Sequence, residues 1–143
     1  MPEKGFSATP LWKKLGLKPG RRLFVSSAPS RPLRADLGTL LREYPPVTHP
    51  SRADVQLLFT TSRALLKRQF APRGRQLPPD GGLWIAWPKK ASKLNAELNN
   101  DLSFEAVQRI GLDAGLVDNK SCSIDADWQA LRFVVRLKDR PTT

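Results

Sequence analysis

Cysteine and histidine are nearly missing from this chain: Cys122 and His49 are the only examples in 143 residues. A single cysteine excludes any disulfide within the chain. One cysteine and one histidine also leave no intrachain zinc site of the usual Cys/His type and no catalytic pair of histidines. His49, between Thr48 and Pro50, reads as a loop residue. Long apolar runs are missing too: none approaches the ~20 residues a membrane-spanning helix needs. The start, Met1-Pro2-Glu3-Lys4-Gly5, has no apolar stretch behind its charge, so no signal peptide is expected. Together with the lone cysteine, this points to the reducing cytoplasm.

Catalytic signatures are equally scarce. There is no G-x-S-x-G elbow and no P-loop, so neither a standard serine hydrolase nor an NTPase is supported. No zinc finger, KH loop or RNP motif is present, so sequence-specific reading of nucleic acid is not expected. Asp118, Asp125 and Asp127 would suit a hard metal, but nothing like a calcium loop surrounds them, and they read as surface hairpin residues. Cys122 falls inside an apparent strand, where a buried, inert thiol is the ordinary case. No catalytic residue, metal ligand or cofactor is therefore assigned.

What is present is positive charge. Lys and Arg number 24 against 13 Asp and Glu, a net charge of +11. The charge is uneven: residues 1–93 carry 18 basic and 5 acidic side chains, or +13, and residues 94–143 carry 6 and 8, or −2. Such a field attracts anionic partners, namely nucleic acid, nucleotides or an acidic protein surface. It equally serves to keep a small protein in solution.

The length fits one domain. Residues 1–10 read as a loose arm, 11–138 as a single α/β domain and 139–143 as a tail. Leu11, Trp12 and Leu15 share one face of a helical turn that Gly16 ends. Leu23-Phe24-Val25 reads as a short strand. Leu37, Leu40 and Leu41 mark a helix from Asp36 to Tyr44, halted by Pro45-Pro46. A weak strand signal sits at Val47. Asp54 to Thr60 is a nearly continuous apolar run, the pattern of a strand buried on both faces. Thr61 or Ser62 caps a helix running to about Phe70. Pro78-Pro79-Asp80-Gly81-Gly82 is a strong turn before the strand Leu83–Trp87. Asp101 or Ser103 starts a helix carrying Ala106, Val107 and Ile110 inward, with Gly111 and Gly115 at its end. Strands around Cys122–Ile124 and Leu131–Leu137 close the chain as an antiparallel hairpin. The alternation predicts a three-layer α/β domain with a mostly parallel sheet of five to six strands and a C-terminal antiparallel hairpin.

Three segments carry a resemblance: Lys14-Leu15-Gly16-Leu17-Lys18-Pro19-Gly20, Trp87-Pro88-Lys89-Lys90-Ala91-Ser92, and Gly115-Leu116-Val117-Asp118-Asn119-Lys120 with Trp128 beyond it. Over about residues 8–138 the chain resembles an uncharacterised "domain of unknown function" family of short bacterial proteins. The resemblance implies a bacterial source and one domain, and no activity. Gln129-Ala130 stands where the resemblance leads one to expect Ser-Gly. The order of elements is more distantly similar to the later half of class I methyltransferases, a Rossmann-like topology. Such enzymes need a Gly-rich turn after the first strand and a carboxylate after the second for adenosylmethionine. Here the first strand runs into Ser26-Ser27-Ala28-Pro29-Ser30-Arg31, and Val47 is followed by Thr48, His49 and Pro50.

The segment from Trp87 to Lys93 is the preferred binding site. It follows a parallel strand, where open α/β sheets bind ligands. Lys89 and Lys90 offer compact charge for phosphate, Ser92 a hydroxyl, and Trp87 a ring to line or support the site. Lys14, Lys18 and Arg31 are outlying contributors. The competing reading is that Trp87 is core, Pro88 ends the strand and the lysines are solvated. Arg63, Lys67, Arg68, Arg73 and Arg75 form a second basic stretch, read either as a phosphate contact or as a solvated face. The functional expectation is a non-catalytic domain that binds an anionic partner. The alternatives are a degenerate adenosylmethionine-dependent methyltransferase-like protein and a scaffold without a ligand.

Overall fold

The computed structural model describes residues 9–27 and 35–139. Its elements in chain order are α1 (Leu11–Lys14), β1 (Leu23–Ser26), α2 (Ala35–Glu43), β2 (Val55–Phe59), α3 (Arg63–Arg75), β3 (Gly82–Pro88), α4 (Lys93–Glu97), α5 (Phe104–Asp113), β4 (Leu116–Ser123) and β5 (Trp128–Val135). Arg31 and Arg34 lie outside the described residues.

The five strands form one sheet in the order β1-β2-β3-β5-β4. β1, β2 and β3 run parallel, while β5 is antiparallel to both β3 and β4. The sheet is therefore mixed: β4 points the same way as β1, β2 and β3 and β5 alone is reversed, so the expected mostly parallel sheet is met in strand direction, while half of the pairings are antiparallel. The C-terminal hairpin is present as expected, and β5, the later of its strands, is the inner one.

Period-two alternation sorts the core into two layers. Leu57, Phe59, Trp84, Ala86, Trp128 and Ala130 face α1 and α2, and pack with Leu11, Leu15, Leu37 and Leu40. Leu58, Leu83, Ile85, Trp87, Leu131 and Phe133 face α3 and α5, and pack with Leu66, Phe70, Val107 and Ile110. Trp84 is wholly buried, and its indole N–H donates to Leu15 O at 3.0 Å, tying the segment after α1 to the middle of the sheet. Without that acceptor the buried N–H would cost roughly 1–3 kcal/mol.

The helix starts follow from their caps. Ser62 accepts from Leu65 N and caps α3, and Ser103 accepts from Ala106 N and caps α5. Asp101 does not start α5. Its carboxylate accepts from Arg63 N at 2.7 Å, so it neutralises a free donor at the start of α3 instead. α3 also runs past Phe70, where the sequence led us to end it, to Arg75, with Pro72 inside it. Gly111 does not punctuate α5 either. It lies buried inside the helix, and a Cβ there would sit less than 3.0 Å from the Phe133 ring.

The connections contain an irregularity that explains the weak signal at Val47. β1 to β2 and β2 to β3 are steps in the same direction, yet α2 and α3 cover opposite faces. The two crossovers therefore have opposite hands, whereas parallel connections are nearly always right-handed. Val47 resolves this. Arg22 O accepts from Val55 N on the β2 side, so the next carbonyl, Leu23 O, points to the outer side of β1. Val47 N donates to that carbonyl at 2.7 Å. The chain thus leaves β1 outward over α2, touches its outer edge at one residue, and only then returns to β2. Val47 is the whole of this outer contact among the described residues, and no strand is assigned there. Among the described residues, no helix is long and apolar enough to cross a membrane.

Candidate functional site

Parallel pairing brings the ends of β1, β2 and β3 to one edge of the sheet. Because Trp128 of β5 lies opposite Pro88, the β4–β5 turn comes to the same edge. Lys89 and Ser92 meet that turn. Lys89 N donates to Asp127 O at 2.8 Å, and Lys89 Nζ donates to Ser123 Oγ at 2.6 Å. Ser92 Oγ donates to Asp127 Oδ1 at 2.8 Å and accepts from Leu94 N, capping the short α4. Asp125 is buried and holds the turn from within, its Oδ1 accepting from Asp127 N and Trp128 N. It is a brace of the hairpin, not the surface residue its polarity suggested.

Lys14, at the end of α1, reaches the same place. Its Nζ donates to Ser123 O at 3.3 Å. Two ammonium groups from distant parts of the chain thus sit on the two oxygens of one serine. Neither pairs with a carboxylate among the described residues; the ion pairs found there are Arg21–Asp80 and Arg22–Asp54. Two like charges with no ion pair to a described carboxylate favour an anion between them. A cleft of about 420 Å³ opens beside Lys89, lined also by Ser92, Lys93, Glu97 and Asp127. Cys122 lies next to this pair. Burial pushes its thiol up to about 11, although Lys14 and Lys89 both act to lower it. The thiol therefore stays protonated near neutral pH and is a poor nucleophile.

The sequence-derived site is thus assembled in part. Lys89, Ser92 and Lys14 converge. The Lys90 and Lys18 side chains are exposed and turn to solvent, and Arg31 lies outside the described residues. Trp87 does not line the site. It is 1% exposed and faces the α5 layer, against Phe104. Ser123 and Asp127 were missed as participants. The signal was available in the Asp-x-Asp-Trp pattern of a tight hairpin, but its proximity to Lys89 depends on β5 pairing with β3. The second basic stretch is divided: Arg63 donates to Asp101 O, and Arg73 lies over the Phe24 ring at 5.3 Å. No cluster of His, Cys, Asp or Glu among the described residues groups three potential metal ligands.

Adenosylmethionine fits this edge poorly. A crevice for such a cofactor opens where strands depart on both sides of the first one. Here the outer side of β1 carries only the single Val47 contact among the described residues. The turn after β1 is entered through Ser27, which takes the left-handed conformation at φ 57°. The backbone shape is one that glycine favours, but a Cβ and hydroxyl stand where close approach of a cofactor needs none. The segment after Val47, Thr48-His49-Pro50, carries no carboxylate for a ribose.

The chain matches no protein-family model and no curated protein. Its fold is similar to that of mitomycin 7-O-methyltransferase MmcR, at 12% identity and a TM-score of 0.59, over 82% of this chain and 50% of that one. It is similar to a LepI variant solved in complex with SAH and a substrate analogue, at 13% identity and a TM-score of 0.51, over 90% and 47%. It is also similar to the Methanococcus jannaschii fibrillarin pre-rRNA processing protein, at 12% identity and a TM-score of 0.51, over 92% and 71%. The chain spans about half the length of the first two. At these identities the likeness is one of fold: an α/β domain of methyltransferase/Rossmann-like type.

Proposed function

We propose that this chain is a degenerate methyltransferase-like domain that keeps the sheet and helices of the fold without a working cofactor crevice. The observation that carries this reading is the outer side of β1, where among the described residues one backbone hydrogen bond from Val47 stands in place of a further strand. Ser27 at the adjacent turn and the lack of a carboxylate after Val47 support it.

A second reading is favoured by Lys14 and Lys89 on Ser123. The domain binds the phosphate of an anionic partner there, with Ser92 and Asp127 fixing the loop that carries Lys89. The same contacts also lock β3 to the hairpin, so the motif serves stability whether or not an anion binds.

Thermal unfolding with added ligand tests both readings, since a ligand held only by the folded state raises its melting temperature. Adenosylhomocysteine is expected to leave the melting temperature unchanged. Pyrophosphate is expected to raise it, and the rise is expected to vanish in Lys89→Met. A saturable rise with adenosylhomocysteine would overturn the first reading. A pyrophosphate effect of equal size in the variant would overturn the second.

A further inference from the structure

A second cleft, of about 490 Å³, lies at the amino end of β1, away from the lysine pair. It is lined by Trp12 of α1, Arg21 and Arg22 of the turn into β1, Glu43 and Tyr44 at the end of α2, and Val47. Nothing in the proposed function uses the rings or charges gathered here. Trp12 and Tyr44 are both half-buried, so each ring rests on the core with part of it left open.

Two guanidinium groups stand beside these rings. Arg21 pairs with Asp80 at 3.3 Å and Arg22 with Asp54 at 3.6 Å, and the Arg22 side chain is 56% exposed. Exposed pairs of this kind hold weakly. Asp54 also accepts from Arg22 N at 2.8 Å, so it keeps a partner when the guanidinium turns away. Exposed Lys13, Lys18 and Arg42 flank the cleft in sequence. Glu43 is the one carboxylate among the lining residues.

We infer that this cleft binds a nucleobase carrying a phosphate. The rings of Trp12 and Tyr44 offer stacking surface, and Arg21 and Arg22 meet the phosphate. Glu43 accepts from an exocyclic amino group, as carboxylates do from bases, which favours adenine or cytosine over uracil. The ligand is either a free nucleotide or one unit of a single-stranded nucleic acid. This inference stands apart from the lysine pair and from the fate of the cofactor crevice.

Intrinsic fluorescence reads the site directly, because Trp84, Trp87 and Trp128 are buried and Trp12 alone among the four is half-open. AMP is expected to quench the emission saturably, UMP less well, and ribose 5-phosphate not at all. Arg22→Ala is expected to weaken AMP on the order of tenfold, with Lys67→Ala, an exposed position on α3 at the opposite face of the sheet, unchanged. In Trp12→Phe, which preserves the packing, binding followed by calorimetry is expected to weaken while the quenching disappears. A decamer of deoxyadenosine separates the sources. Affinity equal to that of AMP marks a free nucleotide, and tighter binding that falls steeply with salt marks a strand. The inference is overturned if neither AMP nor the decamer quenches saturably. Unaltered AMP affinity in Arg22→Ala, or loss of it in Lys67→Ala, overturns it as well.

Discussion

Replacing Gly111 by alanine tests how closely α5 is seated on the sheet. The added Cβ would fall less than 3.0 Å from three atoms of the Phe133 ring. That ring cannot easily give way. It is fully buried and meets Phe70 edge-on, with centroids 4.9 Å apart and planes at 88°. Overpacking of this kind costs about 1–3 kcal/mol. Alanine in a helix interior gains back up to about 1 kcal/mol over glycine. With three ring atoms in the way the cost falls at the upper end of that range, so the expected net loss is about 2 kcal/mol, a fall in melting temperature of roughly 4–8 °C for a domain of this size. Circular dichroism in the helix band follows the transition. Gly38→Ala in α2 is the control, since its Cβ would meet only Arg42 Nη1 at 3.5 Å. There the helix gain acts alone, and a stabilisation of about 0.5–1 kcal/mol is expected. If Gly111→Ala melts at or above the parent, the close seating of α5 on Phe133 is wrong.

Three further outcomes are expected. Cys122 should alkylate slowly with iodoacetamide near neutral pH, and its rate should climb with pH until about 11. Because the folded thiol is raised above its ordinary value of 9.0, its contribution to stability is intact below that value and lost as pH rises towards 11, which a pH series of urea melts would register. Asp125→Ala leaves Asp127 N and Trp128 N without their buried acceptor, and should cost about 1–3 kcal/mol, with faster amide exchange confined to the turn and the start of β5. Ser103→Ala removes the cap of α5 and should cost about 1 kcal/mol in the same urea assay, recoverable by Ser103→Asp.

The sequence disclosed the features that depend on local chemistry. The continuous apolar runs of β2 and β3 identified strands covered on both faces, and both are buried at every position. Ser62 and Ser103 were recognisable as caps. The misses depend on pairing across the chain. β5 begins at Trp128, earlier than its apolar run suggests, because its register against β3 reaches Pro88. α4 escaped notice because five residues are too few to show a period. The segment holding Lys89 and Ser92 was legible as a candidate through Pro88 and the adjacent lysines. Their meeting with Lys14 was not, because it is set by how α1 packs on the sheet. Trp87 was misplaced for a related reason: alternation along β3 turns it to the face opposite Trp84, and only the packing of α5 shows that this face is closed.

The placement of β5 also bears on how the chain comes off the ribosome. β1, β2 and β3 can pair in the order in which they are made, each next to its predecessor. β4 cannot: its one neighbour is β5, which is synthesised after it and then inserts between β3 and β4. Until Trp128 to Val135 has emerged, β3 keeps an open edge, and Phe133 is not there to close the layer beneath α3 and α5. An open edge beside an unfinished core is the kind of surface that chaperones shield and that neighbouring nascent chains can capture. Completion of this sheet thus waits for the last of its strands to be made, and a stall just before Trp128 would leave the sheet at its most adhesive.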